Sequence, residues 1–112
     1  MAMEKGLLSG STGMLLLKLL SEKDMYGYEM IETLRGRSNQ VFELKAGTLY
    51  PLLHSLEAGH YLVSYEQEAL GKMRKYYSIT KEGRTYLKKK EKEWETYSQA
   101  VIQVLGGVSF GI

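Results

Sequence analysis

The sequence predicts a mainly α-helical domain with one small β-hairpin, and three observations carry that prediction. Apolar residues recur at helical spacing in three successive segments. Between about Tyr61 and Ile79 the period drops from about 3.6 to 2, and beyond Thr80 one helical pattern runs to Gly106-Gly107. A length of 112 residues suits one compact unit rather than two cores. With 44% hydrophobic and 25% charged residues, the chain belongs with folded globular proteins rather than disordered ones.

The first helix is expected from about Ser11 to Ser21, where Leu15, Leu16, Leu19 and Leu20 form the stripe and the preceding Ser and Thr residues suit capping. After the polar turn Glu22-Lys23-Asp24, Tyr28, Met30, Ile31 and Leu34 continue a second helix, with Gly36 as its stop signal. Val41 to Leu44 reads as a short extended segment. The third helix spans Ala46 to Gly59: Leu49, Leu52, Leu53 and Leu56 share one face, while Gly47, Thr48, Pro51, His54 and Ser55 project from the other. Pro51 is placed near the first turn, where a missing backbone donor is tolerated.

Strand character follows from Tyr61 to Gln67, with Tyr61, Val63 and Tyr65 on one side. A second run, Arg74 to Ile79, sets Tyr77 and Ile79 against Tyr76 and Ser78, with Tyr77 expected to face the core. The loop between the strands holds Gly71, so the hairpin has a tip bearing Lys72, Arg74 and Lys75. Thr80 is placed to cap a long helix from Lys81 to Leu105, closed by Gly106-Gly107. Along it, Leu87, Trp94 and Val101 recur every seven residues, beside Lys90, Tyr97 and Val104, in the pattern of a helix-helix seam.

Three helices, a basic hairpin and a long terminal helix describe a winged helix-turn-helix plus a long C-terminal dimerisation helix. The expected division is a DNA-binding domain over 1–80, a dimerisation helix over 81–107 and a frayed tail over 108–112. In such a fold the third helix lies in the major groove and the hairpin reaches the neighbouring backbone. The residues expected to meet double-stranded DNA are Lys45 just before the third helix, Thr48, Tyr50, Pro51 and His54 on it, and Lys72, Arg74 and Lys75 from the hairpin. The seam residues expected to join two copies are Leu87, Trp94, Tyr97, Val101 and Val104. The rival reading is a winged-helix protein-interaction module that never touches DNA.

Other classes of function find little support. The net charge of +2 is too small to decide anything by itself, and the run Lys88 to Lys90 reads first as a solvated face. Without cysteine there is no disulfide, thiolate nucleophile or thiolate metal site. His54 and His60 lack the helical ligand spacing of three or four residues, so no metal is expected. No catalytic triad, phosphate-cradling loop or paired carboxylates in an apolar setting is evident, and neither an enzyme nor a cofactor is expected. Met14 to Leu20 is too short to span a bilayer and is interrupted by Lys18; no targeting segment or membrane association is expected, and the cytoplasm is the default location.

Several spaced motifs now converge. Gly47-Thr48-Leu49-Tyr50-Pro51-Leu52-Leu53-His54-Ser55-Leu56-Glu57, Arg74-Lys75-Tyr76-Tyr77-Ser78-Ile79-Thr80 with Gly83, and Tyr26-Gly27-Tyr28-Glu29 upstream resemble the PadR family of bacterial transcriptional regulators over about Leu8 to Leu87. The resemblance implies a homodimeric repressor bound to a pseudo-palindromic operator and released by a small hydrophobic or aromatic effector. The single helix after the hairpin is similar to the family's compact branch, in which an aromatic residue of the last helix helps form a flat pocket at the dimer interface. Trp94 falls at the matching position, and the implied ligand-facing set is Met14, Lys90, Trp94, Tyr97 and Ser98. The chain departs from the family pattern at His60-Tyr61-Leu62, which replaces a commoner glycine and aliphatic run, and at Met73 within an often all-basic wing. Glu66 and Glu68 lie close to the cationic tip.

Overall fold

The computed structural model describes residues 5–107, with side chains from Ser11 onward. In chain order it contains α1 (Lys5–Glu22), β1 (Met25–Tyr26), α2 (Gly27–Arg37), α3 (Ala46–Ala58), β2 (Leu62–Ala69), β3 (Lys72–Ile79) and α4 (Lys81–Leu105). The strands form an antiparallel sheet in the order β1-β3-β2, with Met25 opposite Tyr77 and Leu62 opposite Ile79. This is the winged helix-turn-helix arrangement, with a three-stranded sheet where the sequence pattern indicated only a hairpin. Two residues of β1 are too few to show a period.

The core lies where α1, α2 and α3 meet the inner face of the sheet. Leu16, Leu17, Leu20, Met30, Leu49, Leu53, Leu62 and Tyr77 are fully enclosed there, and Leu87 closes the bottom from α4. Leu87 was expected in the intermolecular seam, but it is 5% exposed and packs within its own domain. The core therefore continues into the first turns of α4, past the boundary expected at residue 80.

Several local readings change for physical reasons. Helix α1 begins at Lys5, upstream of the expected start, so Ser11 and Thr12 are interior residues rather than caps. Tyr28 points outward, because Gly27, Met30 and Leu34 form the buried stripe of α2. Gly36 does not stop α2. The helix closes on Ser38, and Asn39 and Gln40 supply the left-handed backbone, at φ 54° and 67°. Val41 to Leu44 is not a strand; it is held by a Phe42 N–H donating to Ser38 Oγ at 3.0 Å and by burial of Leu44. In β2 the expected alternation holds. Leu62 faces the core, whereas Val63 and Tyr65 lie on the outer face.

The turn between β2 and β3 is Leu70-Gly71, both left-handed at φ 54° and 82°, as a two-residue hairpin loop requires. Thr80 caps α4 as expected, its Oγ1 accepting from Gly83 N–H at 2.9 Å. Gly106 and Gly107 end the helix with positive φ. The tail 108–112, expected to fray, lies outside the described residues. No helix among the described residues is long and apolar enough to cross a membrane.

Candidate nucleic-acid interface

Helix α3 is pinned by its leucines and leaves its other face open. Leu49 and Leu53 are fully buried, while Gly47, Thr48, Tyr50, Pro51, His54 and Ser55 are exposed. Lys45 stands at the N-cap with extended backbone and makes no side-chain cap. Pro51 is the sixth residue of α3 rather than a first-turn residue. It thereby removes the donor that would reach the Gly47 carbonyl. The open face offers one hydroxyl each from Thr48, Tyr50 and Ser55 and the His54 imidazole, with no carboxylate among them. These are groups that hydrogen-bond to phosphates and base edges.

Tyr50 is held at the edge of this face. Its side chain lies directly over Gly27, where an added Cβ would overlap the phenol oxygen and sit 2.8 Å from Cζ. The Tyr26-Gly27-Tyr28 segment thus contributes a bare backbone on which Tyr50 rests, a role that spacing alone does not reveal.

The wing separates its cations by face. Lys75 shares the inner face with Tyr77 and lies 5.7 Å from that ring's centroid, directly opposite Glu66 in the register. Lys72 is exposed at the tip. No carboxylate among the described residues lies within salt-bridge distance of Lys45, Lys72 or Lys75. Arg74 differs from these lysines: its Nε donates to the Ala69 carbonyl at 3.1 Å, and its guanidinium lies 4.7 Å from the Tyr26 ring centroid. Leu70 leads the tip, 84% exposed.

A second open surface runs along α4. Beyond Leu87 no residue of the helix is buried; Trp94 is 51% exposed, Tyr97 62% and Val104 86%. The Trp94 and Tyr97 rings lie 5.9 Å apart. A shallow apolar groove of about 260 Å³ follows, lined by Tyr97, Ala100, Val101, Val104 and Leu105.

The remaining residues of the expected effector set have partners within their own chain. Lys90 pairs with Glu93 at 3.3 Å and lies over the Tyr86 ring; Glu93 and then that ring raise its pKa. Ser98 Oγ donates to the Glu95 carbonyl at 3.2 Å. Met14 is half-buried on α1 against the core. The structure thus brings Trp94 and Tyr97 together and leaves Met14 on a different element.

Sequence reasoning missed a cluster on the outer face of the sheet. Tyr65 stacks on Tyr76 with centroids 5.7 Å apart, Tyr76 meets Tyr26 edge-on at 5.4 Å, and Tyr65 Oη donates to Asp24 Oδ2 at 2.6 Å. That hydrogen bond, followed by desolvation and the Asp24 charge, pushes the Tyr65 phenol up to about 12. The available signal was the concentration of tyrosines at 26, 65 and 76, unreadable until β1 is placed beside β3.

The comparisons agree with this geometry. A family model described as the transcriptional regulator PadR-like family matches residues 16–89. The transcriptional regulator Rv3488 of Mycobacterium tuberculosis is 38% identical over 72 residues, covering 64% of this chain and 64% of its own. The solved structure of a transcriptional regulator from Clostridium thermocellum superimposes with a TM-score of 0.83 at 35% identity, covering 88% of this chain and 97% of that one. A PadR family transcriptional regulator from Eggerthella lenta does so with a TM-score of 0.80 at 33% identity, covering 92% and 88%.

Proposed function

Because the chain belongs to the PadR-like family of transcriptional regulators, not a family of enzymes, we propose that it is a homodimeric repressor whose grip on a pseudo-palindromic operator is released by a small hydrophobic or aromatic effector. The observation that carries the DNA-binding part is the α3 face: hydrogen-bonding groups at Thr48, Tyr50, His54 and Ser55, flanked by lysines at positions 45, 72 and 75 that have no carboxylate partner among the described residues. The α3 side chains read base edges in the major groove while Lys72 and Lys75 displace counterions from the adjoining backbone.

Pairing of two copies rests on α4. Its 25 residues extend about 37 Å, a length comparable to the half-site separation of about 34 Å on one side of a duplex. Trp94, Tyr97, Val101 and Val104 give the distal part an apolar surface with no cover from its own core. An aromatic effector stacked at Trp94 between the protomers changes the angle at which the two α3 helices are presented. For a hundredfold loss of operator affinity it must bind the released form about a hundredfold more tightly than the DNA-bound form, about 2.7 kcal/mol of coupling.

Selection of bound fragments from the host genome, repeated with planar hydrophobic compounds, tests operator and effector together. On the selected site, Lys75→Gln is expected to reduce the slope of log affinity against log salt by about 0.9. Failure to enrich any fragment, with the protein folded and dimeric, would favour the protein-interaction module instead.

A further inference from the structure

Arg74 sits among the wing's cations in the sequence, yet its surroundings differ from those of Lys72 and Lys75. Those two are exposed, whereas Arg74 is half-buried on the outer face of the sheet. Its Nε is committed to the Ala69 carbonyl at the end of β2, and its guanidinium carbon lies over the Tyr26 ring on β1. One side chain on the central strand thus ties down both the wing tip and the strand on the opposite side.

The chain of contacts continues into the helical core. Tyr26 meets Tyr76 edge-on, Tyr76 stacks on its cross-strand partner Tyr65, and Tyr65 is hydrogen-bonded to Asp24 in the turn after α1. Nearer the core the hairpin is anchored by buried Leu62, Tyr77 and Ile79 and by Ser64 Oγ donating to Glu57 Oε2 at 2.7 Å. Two strands projecting from a core bend readily unless a further contact fixes them.

We infer that Arg74 is a positioning residue rather than a phosphate contact: with Tyr26, Tyr76, Tyr65 and Asp24 it braces the wing against β1 and the α1 turn, setting the direction in which Lys72 and Lys75 meet the DNA backbone. This rests on the DNA-binding reading above. The chemistry separates the two roles. A phosphate contact needs the positive charge, which lysine also supplies. The brace needs a planar cation over Tyr26 and a donor at the Nε position, which lysine lacks.

The test uses the full-length protein and a selected operator fragment, well below the melting temperature of each variant. Arg74→Lys is expected to bind about tenfold more weakly, as is Arg74→Gln, through loss of one cation-π contact and one hydrogen bond. Arg74→Lys keeps the charge yet should lower the salt slope, as Lys75→Gln does by about 0.9, because the unbraced wing draws Lys72 and Lys75 off their phosphates. Hydroxyl-radical footprints of Arg74→Lys should lose wing protection beside each half-site and retain the central protection due to α3. Tyr26→Leu combined with Arg74→Gln should be little worse than Arg74→Gln alone.

Near-normal affinity or an undiminished salt slope in Arg74→Lys would make Arg74 a phosphate contact and overturn the inference. Additive losses for Tyr26→Leu and Arg74→Gln would do the same. If the unmodified protein does not bind DNA, the functional reading itself fails, an outcome distinct from these.

Discussion

The junction between the wing and α4 has no space for a side chain at Gly83, and Gly83→Ala turns that packing into a measurable loss. An added Cβ would overlap the Tyr61 carbonyl oxygen, lie 2.7 Å from Ile79 Cγ1 and 3.1 Å from the Tyr61 carbonyl carbon. Carbon atoms rest about 3.5–4.0 Å apart, so roughly 0.5–1 Å must open on two sides at once. Neither side yields freely. The Tyr61 carbonyl accepts from Thr80 N–H at 3.0 Å, Thr80 Oγ1 donates to the His60 carbonyl at 2.7 Å, and the Tyr61 ring stacks on Tyr86 at 4.2 Å.

Overpacking of this kind costs about 1–3 kcal/mol, and about 1 kcal/mol more if the Thr80–Tyr61 hydrogen bond breaks. The intrinsic gain of alanine over glycine in a helix offsets at most about 1 kcal/mol. A net loss of about 1–3 kcal/mol lowers Tm by roughly 5–20 °C for a domain of this size. Thermal denaturation followed by circular dichroism, at one fixed protomer concentration, measures it. Gly36→Ala is the control, because nothing lies within 4 Å of its Cβ position, and it should raise Tm slightly. A Gly83→Ala protein melting within about 3 °C of the parent would show that the Tyr61 backbone moves easily and that the packing argument is wrong.

Three further outcomes are expected. The Tyr65 phenol is raised from its ordinary value near 10 to about 12, chiefly by its bond to Asp24; the folded form holds that proton more tightly. Its contribution is therefore complete below pH 10 and disappears as pH climbs through about 12. The Tm difference between parent and Tyr65→Phe should shrink over that window, and a constant difference would rule this linkage out. Trp94→Ala should raise the dimer dissociation constant by at least about 30-fold in sedimentation experiments, the loss typical of a central aromatic anchor; unchanged self-association would remove Trp94 from the seam. Gly27→Ala forces Tyr50 aside rather than moving backbone, so it should destabilise the fold by only about 1 kcal/mol. Operator affinity measured by fluorescence anisotropy should nevertheless fall clearly, and full retention would detach Tyr50 from DNA recognition.

Much of the fold was legible because its signals are local. The leucine stripe of α3, the Thr80 cap and the Gly106-Gly107 stop each depend on neighbours a few residues away, and Tyr77 faces the core as its alternation requires. The unread parts depend on distant partners. β1 exists only because Tyr76 and Tyr77 give Met25 and Tyr26 something to pair with. The alternation of β2 left open which side faces inward, because its outer residues are apolar too: Tyr65 is an aromatic residue with an aromatic partner of its own. At the candidate site, the exposed positions of α3 followed from periodicity, while Arg74 and Leu87 did not follow from composition. A cation beside other cations and a leucine in a heptad look alike in sequence whether they face outward or inward, and only the packing around Tyr26 and beneath α1 separates the cases.

The distal two-thirds of α4 carries a further implication. From Lys88 to Leu105 no side chain is fully buried, so a lone copy leaves the apolar side of this segment to water. If two copies pair along it as proposed, covering that surface adds stability that grows with protomer concentration. Expression level would then set how many molecules hold the paired form, and copy number would enter DNA occupancy twice, through assembly and through binding.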